Sequence, residues 1–278
     1  MNATALAGQV VVVTGAARGI GRVIAESLAS RGARVAIGDI DETILPAAAQ
    51  QCGAAFWARL DVTDAASFRD FLSATEERLG PIAALINNAG IMPAGPLLDE
   101  DDAVTKRIFE INTYGFVLGT KHALARMVPR GRGHVVNIAS TMGESSVPGL
   151  VSYNASKAAV IRFTDAARLE FRRSGVKFSC VLPGAVNTEL ATGIRQPRVI
   201  RRLEPEDVAA AVVSALESGR SRRRIYVPST FGYLLVLLRV LPLSVGEFAS
   251  RMLGAERAVL RDSDLAARRN YQDRVSHS

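Results

Sequence analysis

The stretch Val10-Val11-Val12-Val13-Thr14-Gly15-Ala16-Ala17-Arg18-Gly19-Ile20-Gly21 decides the fold. Four consecutive β-branched residues predict a strand that is buried on both faces, over residues 9–14. The glycine-rich turn that follows opens a helix predicted over residues 19–30. A strand, a glycine turn and a helix in this order place free backbone N–H groups at a helix N-terminus, where phosphate groups bind. Taken alone, the same glycines also fit ordinary turn chemistry.

Strands and helices alternate along the rest of the chain. Further strands are predicted over residues 34–39, 54–60, 83–86, 134–138, 177–182 and 224–227, and further helices over residues 65–79, 100–128, 152–173 and 205–216. The long helix is expected to be interrupted near Asn112, because Asn and Gly destabilise a helix interior. This alternation predicts an α/β fold, a Rossmann-like, doubly wound parallel sheet of about seven strands with helices on both faces.

Composition limits the function classes. The chain has 278 residues, 48% of them hydrophobic, which suffices for one large core. The net charge is +7, yet the arginines are not interleaved with aromatic residues, so a solvated basic surface is favoured over nucleic-acid binding. Cys52 and Cys180 lack metal-ligand spacing and predict reduced thiols in a cytoplasmic protein. The first residues, 1–6, have no basic flank and no long apolar core, and do not resemble a signal peptide.

Several landmarks follow predicted strands directly. They are the glycine turn, Asp39, residues 88–90, Ser140 and residues 183–184. Because the carboxyl ends of parallel strands meet at one edge of a sheet, these landmarks predict a ligand cleft there. An acid at the position of Asp39 binds the hydroxyls of a ribose, and Asp41 would repel a phosphate attached to that sugar.

Tyr153 and Lys157 are spaced to share one face of a predicted helix. A phenol ionises near pH ~10 and is a poor base at neutral pH. A cation beside it favours the phenolate, so we expect Lys157 to lower the pKa of Tyr153. The pair would then exchange a proton with an alcohol or a carbonyl, although such a pair is also found on solvated helix surfaces.

Together, these patterns resemble the short-chain dehydrogenase/reductase family. The matching pieces are Thr14-Gly15-x3-Gly19-x-Gly21, Asn88-Ala89-Gly90, Asn112, Ser140, Tyr153-x3-Lys157 and Pro183-Gly184. They occur in the order and spacing of that family, and the resemblance covers about residues 6–229. It implies a dinucleotide-binding catalytic domain over residues 1–229, followed by an extension over residues 230–278.

The resemblance also implies roles for individual residues. Tyr153 would exchange the proton, Ser140 would bind the substrate oxygen, Lys157 would assist Tyr153 and bind the nicotinamide ribose, and Asn112 would position a water molecule. The hydride would pass directly to or from NAD, so no metal is needed. The expected cofactor-binding residues are Gly15, Arg18, Gly19, Ile20, Asp39, Asp61, Val62, Asn88, Ala89, Gly90, Tyr153, Lys157, Val186 and Thr188. Asp39 favours NAD over NADP, while Arg18 could turn toward a phosphate.

The resulting interpretation is an NAD-dependent oxidoreductase for a lipophilic secondary alcohol or ketone. Alternatives are a cofactor-sensing binding protein or a membrane-recruited protein on the same fold; a sensor would not need the complete proton-transfer set. Specificity is expected from the loops of residues 91–98, 141–151 and 188–203, and from the C-terminal extension. We also expect a homodimer or homotetramer.

The C-terminal extension departs from the resemblance. Residues 231–243 are strongly apolar but too short to span a bilayer, which needs about 20 residues. They could form a lid over an apolar pocket, an oligomer contact or a peripheral membrane segment. The sequence Arg222-Arg223-Arg224 just before them could meet anionic headgroups. The last residues, 262–278, are charged and predict a partly helical, frayed end.

Overall fold

One parallel sheet forms the centre of the protein. The computed structural model describes residues 6–194, 202–230, 232, 259–260 and 271. The strands are β1 (Val10–Thr14), β2 (Arg34–Asp39), β3 (Phe56–Arg59), β4 (Ile82–Asn87), β5 (Gly133–Ile138), β6 (Val176–Pro183) and β7 (Arg222–Val227). Their order is β3-β2-β1-β4-β5-β6-β7, and neighbouring strands are parallel throughout. The predicted doubly wound, Rossmann-like sheet of seven strands is confirmed.

Helices cover both faces of the sheet. They are α1 (Gly19–Ala29), α2 (Leu45–Cys52), α3 (Ala65–Leu79), α4 (Asp102–Phe109), α5 (Gly115–Met127), α6 (Val151–Glu170) and α7 (Pro205–Glu217). No helix is predicted from the sequence in the region of α2. A helix of eight residues is marginal by itself, and α2 is stabilised by packing Leu45, Ala48 and Cys52 into the core that α1 and α7 share.

The valine run of β1 serves two cores at once. Val11 and Val13 belong to the core under α1, α2 and α7, whereas Val10 and Val12 belong to the core under α3 and α5. Successive side chains of a strand point to opposite faces, so an unbroken apolar run is what a sheet covered on both faces requires. All four valines are buried, as predicted.

The order of strands reverses at β1. The chain passes from β1 to β2 on one side, and β4 then pairs with the other side of β1. A crevice therefore opens between the carboxyl ends of β1 and β4, the usual position of ligands in such sheets. At this point a Cβ on Gly15 would lie 2.6 Å from the Cα of Ala89, so only glycine lets the two turns approach this closely.

Two predictions about local structure have different outcomes. The expected interruption of the long helix is confirmed: a π-helical turn, Glu110–Tyr114, separates α4 from α5. The residues Arg222-Arg223-Arg224 begin β7, where Arg223 and Arg224 are paired with Asp165, and their contact with headgroups stays a prediction. Apart from Gly232, the apolar residues 231–243 lie outside the described part of the chain.

Within the described residues, no helix combines the length and the apolar character that crossing a bilayer would require.

Candidate active site

The N-terminus of α1 is open to an anion. No side chain caps it, and its first turn contains no acidic residue. Gly19 has a φ of +53°, and a Cβ built on it would find only Thr188, at 3.7 Å, so the turn leaves space between these two residues. A Cβ on Gly21 would instead lie 2.2 Å from the Gly15 carbonyl oxygen. The glycines thus shape a cradle that fits a pyrophosphate at a positive helix end.

Asp39 lies where a ribose-binding acid is expected, at the end of β2. Its Oδ2 accepts a hydrogen bond of 2.9 Å from the Ala17 amide, and its Oδ1 accepts one of 3.1 Å from the Asp41 amide. These bonds fix the carboxylate beside the glycine turn. The side chain of Asp41 accepts hydrogen bonds from the backbone and hydroxyl of Thr43, so it closes a turn.

Arg18 pairs with two acids beside the glycine turn. Its guanidinium donates a short hydrogen bond to Asp41, and its Nη1 lies 3.5 Å from Glu189. Hydrogen bonding from Thr43 lowers the pKa of Asp41, and the charge of Arg18 adds to this effect. A turn of Arg18 toward a 2′-phosphate would have to break these two contacts, and it stays a prediction.

The segment Asn88–Ala89–Gly90 is tied to the glycine turn. The Thr14 hydroxyl accepts hydrogen bonds from the amides of Asn88, at 3.0 Å, and of Ala89, at 3.2 Å. The Asn88 side chain donates to the carbonyl oxygens of Thr14 and Gly15, both at 3.0 Å. The carboxyl ends of β1 and β4 therefore form one rigid floor for the crevice.

The three expected catalytic side chains lie together above β5 and α6. Ser140 follows β5, and its Oγ accepts a hydrogen bond of 3.1 Å from the Met142 amide. Tyr153 and Lys157 share a face of α6, and the Lys157 ammonium lies 5.8 Å from the centroid of the Tyr153 ring. Lys157 donates a hydrogen bond of 3.1 Å to the carbonyl oxygen of Ile138. All three are buried, so the alternative of a solvated surface pair is wrong.

Burial dominates the ionisation of this pair. It raises the pKa of Tyr153 above its ordinary value, and the hydrogen bond with Ser140 opposes that rise. It lowers the pKa of Lys157 to about 8, and the nearby Cys180 acts in the opposite direction. In the unliganded site desolvation is therefore the largest influence on the pKa of Tyr153, and the expected lowering of this pKa by Lys157 stays a prediction.

Asn112 stands in the π-helical turn. Its side chain accepts a hydrogen bond of 2.8 Å from the Ile91 amide and donates to the Ile91 carbonyl oxygen, at 2.9 Å, and to Ser156, at 3.1 Å. A Cβ on Gly90 would lie 3.2 Å from the Asn112 amide oxygen and 3.4 Å from the Lys157 nitrogen. Asn112 thus joins the cofactor floor to α6; positioning of a water stays a prediction.

The remaining predicted cofactor residues lie along the same edge. The Asp61 carboxylate accepts hydrogen bonds from the backbone and hydroxyl of Thr63, and these bonds lower its pKa against the effect of burial. Val62 is buried against Gly115, at the start of α5. Ile20 packs against the core under α1, and Val186 is buried in the same core. The structure thus places Val62 and Val186 as packing residues as well.

A buried polar chain that the sequence analysis missed holds α6 on the sheet. Asn87 donates to Asn137, at 2.9 Å, and Asn137 donates to Thr164 on α6, at 2.8 Å. Thr120 on α5 accepts a further bond of 3.3 Å from Asn87. The only sequence signal is an asparagine in each of two otherwise apolar strands. This chain fixes the helix that carries Tyr153 and Lys157.

Tyr153 belongs to an apolar cluster of buried and partly buried side chains. Its members come from each of the loops predicted to set specificity and from the C-terminal extension. They are Met92, Ala94, Met142, Val147, Leu150, Leu190, Ile194 and Val259. The phenol of Tyr153 therefore lies between the polar groups of Ser140 and Lys157 and an apolar wall. Such a site suits proton exchange with an oxygen on a largely apolar molecule.

Comparisons with known proteins agree with this geometry. Cis-4-hydroxycyclohexanecarboxylate dehydrogenase of Sinomonas cyclohexanicum is 38% identical over 75% of this chain and 89% of its own length. Estradiol 17-beta-dehydrogenase 11 of Macaca fascicularis is 32% identical over 85% of this chain and 80% of its own length.

A solved structure is similar as well. A short chain dehydrogenase/reductase from Burkholderia phymatum in complex with NAD matches with a TM-score of 0.76 and 27% identity, over 84% of this chain and 93% of the other. The prediction of NAD as the cofactor agrees with that complex. The family model described as short chain dehydrogenase matches residues 9–199. The chain belongs to the short chain dehydrogenase family.

Proposed function

We propose that this protein is an NAD-dependent dehydrogenase that interconverts a lipophilic cyclic secondary alcohol and its ketone. The observation that carries the proposal is the buried Tyr153 phenol, with Ser140 and Lys157 on one side and the apolar cluster on the other. A cofactor-sensing protein would need neither a buried proton-exchanging group nor an enclosed apolar wall beside it.

The cofactor fits the groups present along the crevice. The uncapped N-terminus of α1 and the glycine turn would hold the pyrophosphate, and Asp39 would bind the adenosine ribose. Lys157, beside Gly90, would bind the nicotinamide ribose. NAD, when bound, accepts the hydride from the carbinol carbon during oxidation.

The side chains of the chain itself handle the proton. In the oxidation direction, the phenolate form of Tyr153 would accept the hydroxyl proton of the alcohol as the hydride leaves the carbinol carbon for the bound NAD, and a ketone remains. Ser140 holds the oxygen by a hydrogen bond as its charge changes. Lys157, with a pKa of about 8, exchanges a proton close to neutral pH and supports Tyr153 electrostatically. In reduction, Tyr153 returns the proton to the oxygen.

The substrate class follows from the wall of the site and from the relatives. Carbon and sulfur atoms dominate the cluster around Tyr153, which favours an apolar ring over a sugar. The relatives are named for a hydroxycyclohexane carboxylate and for a steroid, which both carry a hydroxyl on a ring.

The decisive experiment follows NAD reduction with cyclohexanol, 4-tert-butylcyclohexanol and cis-4-hydroxycyclohexanecarboxylate. We expect the highest kcat/KM for a neutral cyclic alcohol. Tyr153→Phe should lower kcat by about 10²–10⁴-fold, because it removes the proton-exchanging group. Its NAD affinity, measured by cofactor fluorescence, should change little.

Tyr114→Phe is the matched control, since Tyr114 is an exposed tyrosine in the π-helical turn. It should retain wild-type kcat. A Tyr153→Phe enzyme that kept about a third or more of the wild-type kcat would contradict the role of Tyr153, since a general acid–base group contributes far more.

We further propose a homodimer or homotetramer in the cytoplasm. Support for association comes from exposed apolar side chains on two helices, Phe109 on α4 and Val151 and Leu169 at the two ends of α6. Support for a reducing compartment comes from Cys52 and Cys180, which are buried free thiols. Light scattering of wild type and Phe109→Glu tests the first point, since a charge at an interface would shift the mass toward the monomer. Fractionation of the producing cells tests the second.

A further inference from the structure

Two described residues of the C-terminal extension, Val259 and Tyr271, lie at the catalytic site. Val259 is buried in the apolar cluster that contains Tyr153. Tyr271 is also buried, and its hydroxyl accepts a hydrogen bond of 2.7 Å from the Met92 amide. Met92 belongs to the same cluster and follows the cofactor floor, Asn88–Gly90, by two residues. Two separate points of the extension therefore converge on one site.

The loop of residues 141–151 is shaped to receive the extension. Gly149 has a φ of +81°, and a Cβ built on it would lie 2.6 Å from Val259 and 2.9 Å from Leu260. The carbonyl oxygen of Gly149 also accepts a hydrogen bond of 3.0 Å from Gly95. Glycine at this position thus permits close contact with the extension while the two specificity loops are held together.

Electrostatics place Tyr271 close to the catalytic phenol. The charge of Tyr271 contributes to the rise in the pKa of Tyr153, after the larger effect of burial. The geometry points the same way, since the Tyr271 hydroxyl contacts Met92, which belongs to the apolar cluster that contains Tyr153.

We propose that Val259 and Tyr271 form the outer wall of the substrate pocket and limit the size of the alcohol that reaches Tyr153. This inference rests on the proposed function and concerns these two residues of the extension. Val259 supplies apolar contact to the substrate ring. Tyr271 fixes the extension to the Met92 segment through its hydroxyl.

The first test compares kcat/KM with NAD for 4-tert-butylcyclohexanol and cyclohexanol. Val259→Ala removes two methyl groups from the wall, so the ratio of the bulky to the small alcohol should rise by about tenfold, the usual effect of a small change in an apolar pocket. Val128→Ala, at an exposed valine after α5, is the control and should leave the ratio unchanged. NAD affinity should stay at the wild-type value in both variants.

The second test needs no turnover. Hydrogen exchange of the segment 91–94 should be faster in Tyr271→Phe than in wild type, because the bond to the Met92 amide is lost. Tyr114→Phe should not change it. Vesicles of phosphatidylcholine and phosphatidylserine should leave this protection intact; exposure of the segment on vesicles would assign the extension to the membrane and overturn the lid.

The outcomes separate the two proposals. Absence of turnover with every alcohol in the wild-type protein would count against the proposed function, while the exchange measurement would still decide on the lid. In an active enzyme, an unchanged substrate ratio in Val259→Ala would overturn the inference. Unchanged exchange in Tyr271→Phe would overturn it as well.

Discussion

At the scale of single residues, cofactor choice depends on more than the acid that ends β2. Asp39 is fixed by two backbone amides, whereas Asp41 and Glu189 hold Arg18. Loss of Asp39 alone would remove the ribose ligand without releasing the cation. The residue that keeps Arg18 from a 2′-phosphate is therefore Asp41.

We predict that Asp41→Asn raises the ratio of kcat/KM for NADP over NAD by about tenfold. The change removes a repulsion of roughly 1 kcal/mol and a partly exposed ion pair of about 0.2–1 kcal/mol. Steady-state kinetics with both cofactors measure the ratio. Asp39→Ala should lower activity with NAD without creating a preference for NADP; a reversal in that variant, with Asp41 intact, would contradict this account.

The second residue-scale prediction concerns the proton. The unliganded protein should show no ionisation of Tyr153 below pH ~10, the ordinary tyrosine value, because burial raises its pKa. The difference in ultraviolet absorbance between wild type and Tyr153→Phe during a titration measures this. The pH profile of alcohol oxidation should nevertheless have a limb near 8, where Lys157 loses its proton. The change in rate near pH 8 would report the coupled titration of Lys157 and Tyr153. A change in rate at the free tyrosine value instead would contradict this coupling.

At the scale of elements, strand β7 anchors the loop that follows Ser140. Glu144 in this loop is almost fully buried and accepts hydrogen bonds from Arg224 and, at 2.7 Å, from the Tyr226 hydroxyl. Arg224 also lies 3.1 Å from Asp165 on α6. A buried ion-pair network therefore connects β7, α6 and the loop that carries part of the apolar wall.

We predict that Arg224→Gln lowers the free energy of unfolding by about 3–5 kcal/mol, because it removes the cation from a buried carboxylate. Arg223→Gln is the control. Arg223 pairs with the same Asp165 from an exposed position, and its loss should cost about 1 kcal/mol or less. Urea denaturation compares the two; equal losses would mean that burial of the network is not what stabilises this edge.

At the scale of the whole molecule, stability should depend on pH through His134. This histidine is buried on β5, hydrogen-bonded to Ser179 at 2.8 Å, and desolvation lowers its pKa from 6.5 to about 4, with a smaller effect from Lys177. The folded state thus favours the neutral ring. Its contribution is complete above pH ~6.5 and is lost as the pH falls toward 4.

We predict that wild type loses about 2 kcal/mol more stability than His134→Gln between pH ~7 and ~5. Glutamine cannot take up a proton in this range, so the difference between the two proteins isolates the histidine from the many carboxylates. Denaturant unfolding at the two pH values measures it. Parallel losses in both proteins would show that the buried histidine does not set the acid sensitivity.

A structural feature of this molecule could be predicted from the sequence when its pattern lies within a few neighbouring residues. The valine run, the glycine turn and the Tyr-x3-Lys spacing are each contiguous patterns, and the family and the parallel sheet that such local patterns predict are confirmed. The interruption of the long helix, predicted from Asn112, is confirmed as well. Helix α2 is too short to be predicted from its own sequence. Contacts between residues that are distant in the sequence could not be predicted in this way. They determine the ion-pair partners of Arg18, the burial of Tyr153 and the position of Tyr271. Tyr271 is buried, although a frayed end was expected there.

The strand order also has a consequence for synthesis of the chain. Strand β1 leaves the ribosome among the first residues, but its partner β4 comes much later: Thr14 is bonded to Ile86, 72 residues further on. At about 5–20 residues per second, translation leaves the valine run without that neighbour for several seconds. The nascent protein must therefore shield its most apolar segment during elongation, and the same four valines that complete the finished sheet are a hazard for aggregation until β4 emerges.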